Sequence, residues 1–166
     1  MKRNTTRCIE CGRIVTSDKS CIVDCNVICF SCMYGNEKPC EIYPIGIIHN
    51  KLGISKRDFG VVGPKGISCI DLLPSQKKFM YRLDEEEQLT IIYYLHNVKS
   101  VKSVFKRGLD GKEVGVFASR TARRLSRIGI QDVTLVSIED TRLIVRGLDA
   151  IDGTPVLDIK IKWNAS

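Results

Sequence analysis

Apolar residues from position 42 onward come in short runs, rich in β-branched and aromatic side chains and separated by clusters of turn residues. Short runs bounded in this way are typical of strands. Glu139-Asp140-Thr141 lies between two such runs, which predicts a β-hairpin. The pattern therefore predicts a mainly β domain, either a barrel or a sandwich. The predicted strands are 42–50, 89–97, 114–118, 131–138, 143–148 and 156–162.

Other stretches set the limits of this domain. Residues 51–82 are rich in Gly, Pro, Lys and Ser, and we expect loops there. The acidic run 84–87 favours a helix N-terminus, whereas the apolar residues 91–94 that follow favour a strand.

No glycine-rich loop stands between a strand and a helix, which excludes a doubly wound dinucleotide-binding fold. With a linker at 36–39, the chain divides into a small module at 1–40 and a β domain at 41–166.

Seven of the eight cysteines lie within the first forty residues. Cys8, Cys11, Cys29 and Cys32 form two Cys-x2-Cys pairs separated by seventeen residues, a spacing typical of tetrahedral zinc sites. So short a segment buries too little apolar surface to fold alone, and metal binding would supply the missing free energy. An iron–sulfur cluster and a disulfide framework are the alternatives. The surplus cysteines are candidates for extra ligands, a second cluster or buried thiols: Cys21, Cys25 and Cys40.

The chain of 166 residues carries 26 Lys and Arg against 19 Asp and Glu, a net charge of +7. This balance favours polyanionic partners such as RNA, although a mixed-charge surface without an RNA site has the same composition. The hydrophobic fraction of 43% is enough for a core. No apolar run is as long as a membrane span, and residues 1–7 lack the apolar stretch of a signal peptide. We therefore expect a cytoplasmic protein.

Three carboxylates crowd the turn that leads into the last predicted strand. Asp149, Asp152 and Asp158 are dense for a strand entrance, where Asp is disfavoured. The turn Asp152-Gly-Thr-Pro155 combines residues that orient side chains rather than fill a core. This arrangement predicts a binding site for a ligand rich in hydroxyl or ammonium groups.

Several segments resemble motifs of the TsaA/TrmO-like family of S-adenosylmethionine-dependent methyltransferases. They are Pro44-Ile45-Gly46, Gly115-Val-Phe-Ala-Ser-Arg120, Ile128-Gly129-Ile130 and Asp152-Gly-Thr-Pro-Val-Leu-Asp-Ile-Lys160. The resemblance covers residues 42–50 and 114–162, but not the N-terminus. It implies a compact antiparallel β-barrel that works as a homodimer, with cofactor sites near the subunit interface.

The resemblance also implies roles for individual residues. Arg120 is the candidate for binding the cofactor carboxylate, because a guanidinium matches a carboxylate bidentately. Methyl transfer depends mainly on alignment, and a base is needed only where the acceptor loses a proton. Asp152, Asp158 and His96 are the catalytic candidates, although a structural hydrogen bond is the better interpretation of His96. The cofactor-binding candidates are Ala118, Ser119, Arg120, Arg124, Asp152, Gly153, Thr154 and Pro155.

For the acceptor, the resemblance implies tRNA, since understood members of the family methylate the N6 nitrogen of threonylcarbamoyladenosine beside the anticodon. Arg123 and Arg127 are candidates for contacts with a nucleic-acid backbone, or belong to a solvated face. The alternatives are another RNA site, a protein, a metabolite, or a non-catalytic adaptor that binds S-adenosylmethionine or RNA.

The sequence departs from the family at two places. The family's Arg-Pro-Asn-Pro is here Arg124-Leu-Ser-Arg127, so that two prolines which would hold the loop in one conformation are absent. The family's Phe-Ser-His is replaced by Glu86-Glu-Gln88. Both departures bear on the acceptor more than on the cofactor.

Overall fold

The computed structural model describes residues 5–50 and 66–162. Contacts divide the chain into two compact units. The cysteine-rich unit contains Met1–Glu41 and Asn97–Arg127, and the barrel unit contains Ile42–His96 and Ile128–Ser166. The strands are β1 (Thr5–Arg7), β2 (Ile14–Thr16), β3 (Ser20–Val23), β4 (Asn26–Cys29), β5 (Gly46–His49), β6 (Ile67–Leu72), β7 (Gln88–Tyr94), β8 (Val104–Lys106), β9 (Glu113–Gly115), β10 (Ile128–Glu139), β11 (Arg142–Arg146) and β12 (Pro155–Ile161). Helix α1 spans Phe30–Tyr34, and 3-10 turns span Ser17–Lys19, Pro74–Met80, Leu83–Glu85 and Val116–Ala118.

The barrel unit is a closed antiparallel barrel of six strands in the order β10, β11, β6, β5, β12, β7. Its side chains alternate between the two faces of each strand, as the pleat of a strand requires. In β7, for example, Leu89, Ile91 and Tyr93 are buried, while the residues between them are partly exposed. A barrel of this size is filled by its own inward-facing side chains, and the inner residues of neighbouring strands form one apolar core.

The cysteine-rich unit consists of short hairpins and contains little apolar core. β1 pairs with β2, β3 with β4, and β8 with β9, all antiparallel. The segment 97–127 joins the cysteine-rich part through an isolated parallel bridge between Val23 and Val101. Ser103 extends this contact, because its backbone N–H donates to a carboxylate oxygen of Asp24 at 3.1 Å.

The structure confirms the mainly β class and the antiparallel barrel, as well as the hairpin at 139–141, where β10 turns into β11. The strand predicted at 42–50 is shorter, because Pro44 lacks the N–H that a ladder needs. The strand predicted at 114–118 is wrong in its second half, which is a 3-10 turn. The acidic run contributes to the 3-10 turn Leu83–Glu85, and β7 begins at Gln88.

The largest correction concerns the loops predicted at 51–82. Within the described part of that stretch, β6 is a full barrel strand between β5 and β11, and Pro74–Met80 is a 3-10 turn. The strand is recognisable by the alternation of buried Ser68, Ile70 and Leu72, but the turn residues on its N-terminal side obscured it. Positions 51–65 of the predicted loop lie outside the described residues.

The two units also divide the chain differently from the predicted boundary after residue 40. Segment 97–127, which the sequence placed in the β domain, clusters with the cysteine-rich part because its hydrogen bonds run to Ile22 and Asp24. No helix among the described residues is long and apolar enough to cross a membrane.

Candidate metal centre and cofactor loops

Four cysteines of the first unit converge on one point. One sulfur from each of Cys8, Cys11, Cys29 and Cys32 lies within 4.8 Å of the other three. Cys8 and Cys11 flank the turn between β1 and β2, whereas Cys29 ends β4 and Cys32 lies in α1. The sulfurs of Cys11 and Cys29 are 3.8 Å apart. Four ligands about 2.3 Å from a tetrahedral zinc ion would be separated by about 3.8 Å, so the cluster has the dimensions of such a site.

Hydrogen bonds to the sulfurs favour the thiolate form at two of these positions. Arg13 Nε donates to the Cys11 sulfur at 3.3 Å, which lowers the pKa of Cys11 to about 6. The backbone N–H of Cys29 donates to the Cys8 sulfur at 3.3 Å and lowers the pKa of Cys8. Cys32 shares hydrogen bonds with its neighbouring thiols, chiefly Cys29, and these raise its pKa to about 12. A cation at the centre would hold all four groups as thiolates.

The surplus cysteines do not join this cluster. Cys21 is buried, its thiol lies 3.6 Å from the Ile28 carbonyl oxygen as a donor, and burial raises its pKa. Cys25 occupies the tight turn between β3 and β4 at φ 68°, and it is exposed. Cys40 is exposed as well. Among the described residues, no second group of potential metal ligands includes any of these three cysteines, so nothing in the structure supports their predicted role as extra ligands.

The loop that follows β9 is fixed by its own side chains. The Ser119 hydroxyl donates to the Val116 carbonyl at 2.9 Å. The Arg124 guanidinium donates to the carbonyl oxygens of Ser119 at 2.5 Å and Thr121 at 3.0 Å. Arg124, predicted to bind the cofactor, therefore braces the backbone on both sides of Arg120.

Arg120 differs from Arg124 in having an exposed guanidinium. Within the described residues, its side chain has no hydrogen bond or ion pair with another residue. Charged side chains that bind ligands need such freedom, since a group already paired must first lose its partner. Among the described residues, Arg120 is thus an exposed cation without a partner, on a backbone that Arg124 holds in place.

The altered loop sequence agrees with the backbone at its end. Arg127 has φ 53°, and its N–H donates to the Arg124 carbonyl at 3.3 Å. A proline, as the family has here, is locked near φ −65° and has no N–H, so it would not fit this conformation. Arg127 is partly buried, whereas Arg123 is exposed, and its carbonyl accepts from the Lys102 N–H at 3.2 Å.

In the barrel unit, the acidic turn is tied to the end of β5. The Asp152 carboxylate accepts from the Asn50 N–H at 3.0 Å, and the Gly153 N–H donates to the Ile48 carbonyl at 2.9 Å. Thr154 is buried, and its carbonyl accepts from the Ile48 N–H at 2.9 Å. Asp152 and Thr154 thus hold the turn, and one oxygen of Asp152 is already occupied.

His49 and Asn50 are functional candidates that the sequence reasoning missed. His49 Nδ1 lies 3.6 Å from a carboxylate oxygen of Asp152, and its Nε2 lies 3.7 Å from one of Asp71. Arg142 binds Asp71 with two guanidinium nitrogens, which lowers the pKa of that carboxyl. Their signal in the sequence is their place three and four residues after the Pro-Ile-Gly motif, at the end of a barrel strand.

Asp158 and His96 have different surroundings from Asp152. Asp158 lies in β12, where its carboxylate accepts from the Ile159 N–H at 2.9 Å and pairs with Lys160 Nζ at 2.8 Å. His96 follows β7, and its Nδ1 is buried and has no hydrogen-bond partner in the part of the chain that the structure describes. Such an unpaired ring nitrogen is costly unless a ligand or substrate uses it. The structural hydrogen bond considered for His96 is therefore not made at Nδ1.

Two glycines of the motifs serve packing rather than binding. A Cβ on Gly129 would lie 2.3 Å from the Tyr93 ring, and one on Gly46 would lie 2.6 Å from the Asp71 carbonyl oxygen. The Tyr93 hydroxyl in turn donates to the Asp149 carbonyl at 3.2 Å. Burial, together with the charge of Asp149, raises the pKa of Tyr93 to about 12, so the hydroxyl remains a donor. The motif glycines therefore let Tyr93 and β6 approach closely.

Of the predicted site residues, the structure groups Ala118, Ser119, Arg120 and Arg124 in one unit. It groups Asp152, Gly153, Thr154, Pro155 and Asp158 in the other. That the two groups form one cofactor pocket stays a prediction. A shallow depression at the β10–β11 hairpin is lined by Asp71, Glu139 and Asp140 among others, and it contains no predicted site residue.

The fold and these loops define a small β-barrel protein with a cysteine-rich unit and motif loops in both units. The family model for the tRNA-methyltransferase O N-terminal domain matches residues 59–164. The chain belongs to this TrmO family.

Two relatives and one solved structure are similar to this chain over more than two thirds of its length. A probable S-adenosyl-L-methionine-binding protein of Pyrococcus abyssi is 32% identical over 70% of this chain and 65% of its own length. A putative S-adenosylmethionine-dependent methyltransferase, RcsF of Pseudomonas aeruginosa, is 31% identical over 72% of this chain and 55% of its own. The crystal structure of TrmO from Pseudomonas aeruginosa is 29% identical with a TM-score of 0.57, covering 76% of this chain and 57% of that one.

The chain thus spans a little over half to about two thirds of the length of these relatives. A tRNA (adenine(37)-N6)-methyltransferase of Mus musculus is 35% identical over a shorter stretch, 47% of this chain and 19% of its own length.

Proposed function

We propose that the protein is an S-adenosylmethionine-dependent methyltransferase that acts on a modified adenosine of tRNA. The observation that carries the proposal is the state of Arg120: an exposed guanidinium without a partner among the described residues, on a loop that hydrogen bonds of Arg124 and Ser119 hold in place. A carboxylate is the partner that such a fork binds best, and the amino-acid end of the cofactor has one.

The residues present fit the rest of the cofactor too. S-adenosylmethionine supplies a methyl group on a positively charged sulfur, already activated for displacement. One Asp152 oxygen is engaged by Asn50, which leaves the other for a ribose hydroxyl or the α-ammonium group. Asp158 is a second acceptor of the same kind, once it exchanges Lys160 for the ligand. The protein contributes chiefly alignment, because the reaction is an in-line displacement.

A base is needed only where the acceptor nitrogen loses a proton. His96 Nδ1 is buried and has no partner among the residues that the structure describes, and an unpaired imidazole nitrogen is suited to accept that proton. Asp152 is a weaker candidate, since its hydrogen bond to Asn50 stabilises the turn. We assign the base role to His96 and a positioning role to Asp152.

We propose tRNA as the acceptor because the mouse relative is named a tRNA (adenine(37)-N6)-methyltransferase and the chain is basic. The second candidate function is a non-catalytic module that binds S-adenosylmethionine. It is favoured by the names of several relatives, which state cofactor binding alone.

One experiment separates these functions. The protein is incubated with methyl-labelled cofactor and either total tRNA or a protein extract, and incorporation is counted. Label in tRNA that is abolished in His96→Asn supports the proposal. Cofactor binding by calorimetry without transfer to any acceptor would favour the binding module, and label in protein would contradict the tRNA acceptor.

We further propose that Cys8, Cys11, Cys29 and Cys32 hold one structural zinc ion. The sulfur spacing supports tetrahedral ligation, and four protein ligands leave no open position for chemistry. Metal analysis of the purified protein should give one zinc per chain. Iron with visible charge-transfer absorption would identify a cluster instead.

We also propose that the protein forms a homodimer and lies in the cytoplasm. None of the eight cysteines forms a disulfide bond, which is in keeping with a reducing compartment. Light scattering on the eluted protein should give twice the mass of 18.7 kDa. A monomer mass at micromolar concentration would contradict the dimer.

A further inference from the structure

The positive charge of the protein is confined to one of its two units. The cysteine-rich unit carries 15 Lys and Arg against 7 Asp and Glu, a net charge of +8, whereas the barrel unit carries 11 against 12, a net charge of −1. Within the first unit, segment 97–127 alone has nine Lys and Arg against two acids. The mild net charge of the whole chain therefore conceals a strongly basic unit and a nearly neutral one.

Most of these bases are not neutralised by carboxylates. Within the segment, Arg107 pairs with Asp110 at 2.6 Å, and the remaining bases make no ion pair with the described residues. Lys99, Lys106 and Lys112 are exposed. Like charges at this density repel one another in the free protein, so a polyanion that binds them relieves the repulsion.

Backbone hydrogen bonds join the stretches of chain that carry these bases. The Lys102 N–H donates to the Arg123 carbonyl at 3.2 Å, which joins the start of the segment to its end. The Arg107 N–H donates to the Lys112 carbonyl at 2.8 Å, and this bond extends the β8–β9 hairpin. In that hairpin Lys106 lies opposite Glu113 in the strand register, and no ion pair between the two side chains is seen.

The segment is also anchored to the cysteine-rich part. The Val101 N–H donates to the Ile22 carbonyl at 2.8 Å, and the Asp24 N–H donates to the Val101 carbonyl at 3.1 Å. The Asp24 carboxylate binds both the N–H and the hydroxyl of Ser103. The metal-binding cluster therefore belongs to the scaffold that holds the bases in place.

We propose that Lys99, Lys102, Lys106, Lys112 and Arg123 form a basic surface that binds the phosphate backbone of the RNA substrate. The inference rests on the proposed function for the identity of the partner. It assigns RNA affinity to the cysteine-rich unit, whereas the barrel has no excess of positive charge. Clustered exposed lysines bind phosphates as point charges with little sequence preference, and their binding weakens with salt through counterion release.

The test uses the full, metal-loaded chain and an unmodified tRNA transcript, with binding followed by fluorescence anisotropy between about 50 and 200 mM salt. The variant Lys106→Gln/Lys112→Gln removes two charges from the hairpin. The control variant Lys77→Gln/Lys78→Gln removes two charges from an exposed turn of the barrel unit, so both variants have the same net charge. Circular dichroism and metal content check that each variant is folded.

We expect the hairpin variant to bind tRNA roughly tenfold more weakly at low salt, and the slope of log Kd against log salt to fall by about 2. The control variant should bind as the unaltered protein does. Equal losses in the two variants would overturn the proposal, because affinity would then follow net charge alone. Polyglutamate that competes as well as tRNA, or anionic vesicles that do, would overturn RNA as the partner.

The same measurements show whether the RNA-binding surface or the proposed methyltransferase function is wrong. Cofactor binding by calorimetry and methyl transfer to a protein acceptor do not require this surface. A hairpin variant that retains full tRNA affinity while the protein still methylates tRNA overturns only the surface. Loss of tRNA affinity in the variant, with cofactor affinity unchanged, supports it.

Discussion

The barrel unit buries Leu89, Ile91 and Leu143 completely, whereas three of the five buried apolar residues in the described part of the cysteine-rich unit are the cysteines Cys8, Cys21 and Cys29. The barrel closes six strands around one apolar core, which the hydrophobic effect stabilises without help. The cysteine-rich unit consists of short hairpins whose sulfurs meet at one point. We therefore expect the barrel to depend on its apolar core and the cysteine-rich unit on the proposed metal ion, so that each source of stability can be removed separately.

The largest expected effect follows from removing the metal. Chelation should unfold the cysteine-rich unit, because metal binding to a tetrathiolate site contributes about 10–16 kcal/mol in small zinc domains. Hydrogen exchange should show loss of protection in β1 to β4 and retained protection in β7 and β11. The control is Cys69→Ser, which alters a cysteine outside the cluster. Unchanged exchange in β1 to β4 after chelation would contradict the metal centre.

A substitution in the apolar core should weaken the barrel unit and leave the cysteine-rich unit unchanged. Leu143→Ala removes a fully buried side chain and should lower the free energy of unfolding by about 2–5 kcal/mol, because it leaves a cavity. Denaturant unfolding measures the loss, and the metal content should not change. The exposed Val136→Ala in the neighbouring strand should change the free energy of unfolding by less than about 0.5 kcal/mol. Equal effects of the two variants would argue against the core as described.

A third change tests ligand binding without altering either source of stability. Arg120→Ala should raise the Kd for S-adenosylmethionine about 10- to 100-fold, since a hydrogen bond to a charged group contributes about 1.5–3 kcal/mol. Calorimetry measures the Kd, and Tm should not change, because Arg120 has no partner within residues 5–50 and 66–162. Arg123→Ala on the same loop is the matched control and should bind the cofactor normally. If both variants bind normally, Arg120 is not in the site.

The smallest effect concerns pH. The pKa of Asp71 is lowered by Arg142, so this carboxylate is more stable as an anion in the folded protein than in the unfolded chain. The stability it contributes is present above the unfolded pKa of about 3.9 and is lost as the pH falls through the lower folded pKa. Because the pair is half exposed, the contribution is at most about 1 kcal/mol. Tm measured from about pH 5 to about pH 3 should fall less in Asp71→Asn than in the unaltered protein, and an identical fall would contradict the assignment.

Much of the candidate chemistry was readable from the sequence. The Cys-x2-Cys spacing predicted the four residues that converge, because two such pairs each place two thiols on one tight turn. Period-two alternation located most barrel strands, as in β7, since one face of each strand must be apolar. The strand β6 was missed because its flanking Gly, Pro and Lys residues have the composition of a loop. Its strand identity depends on pairing with β5 and β11.

By itself, the amino-acid sequence determined the class of the fold, the family and the cysteine cluster, because each depends on residue types at short and regular spacings. Only the tertiary structure decided which charges are free. Arg120 and Arg124 are four residues apart and chemically alike, yet Arg120 is exposed and unpaired with any described residue, whereas Arg124 binds two carbonyl oxygens. The structure also segregated the positive charge into one unit through contacts between residues 22–24 and 101–103. Such contacts join positions distant along the chain, and local patterns carry no information about them.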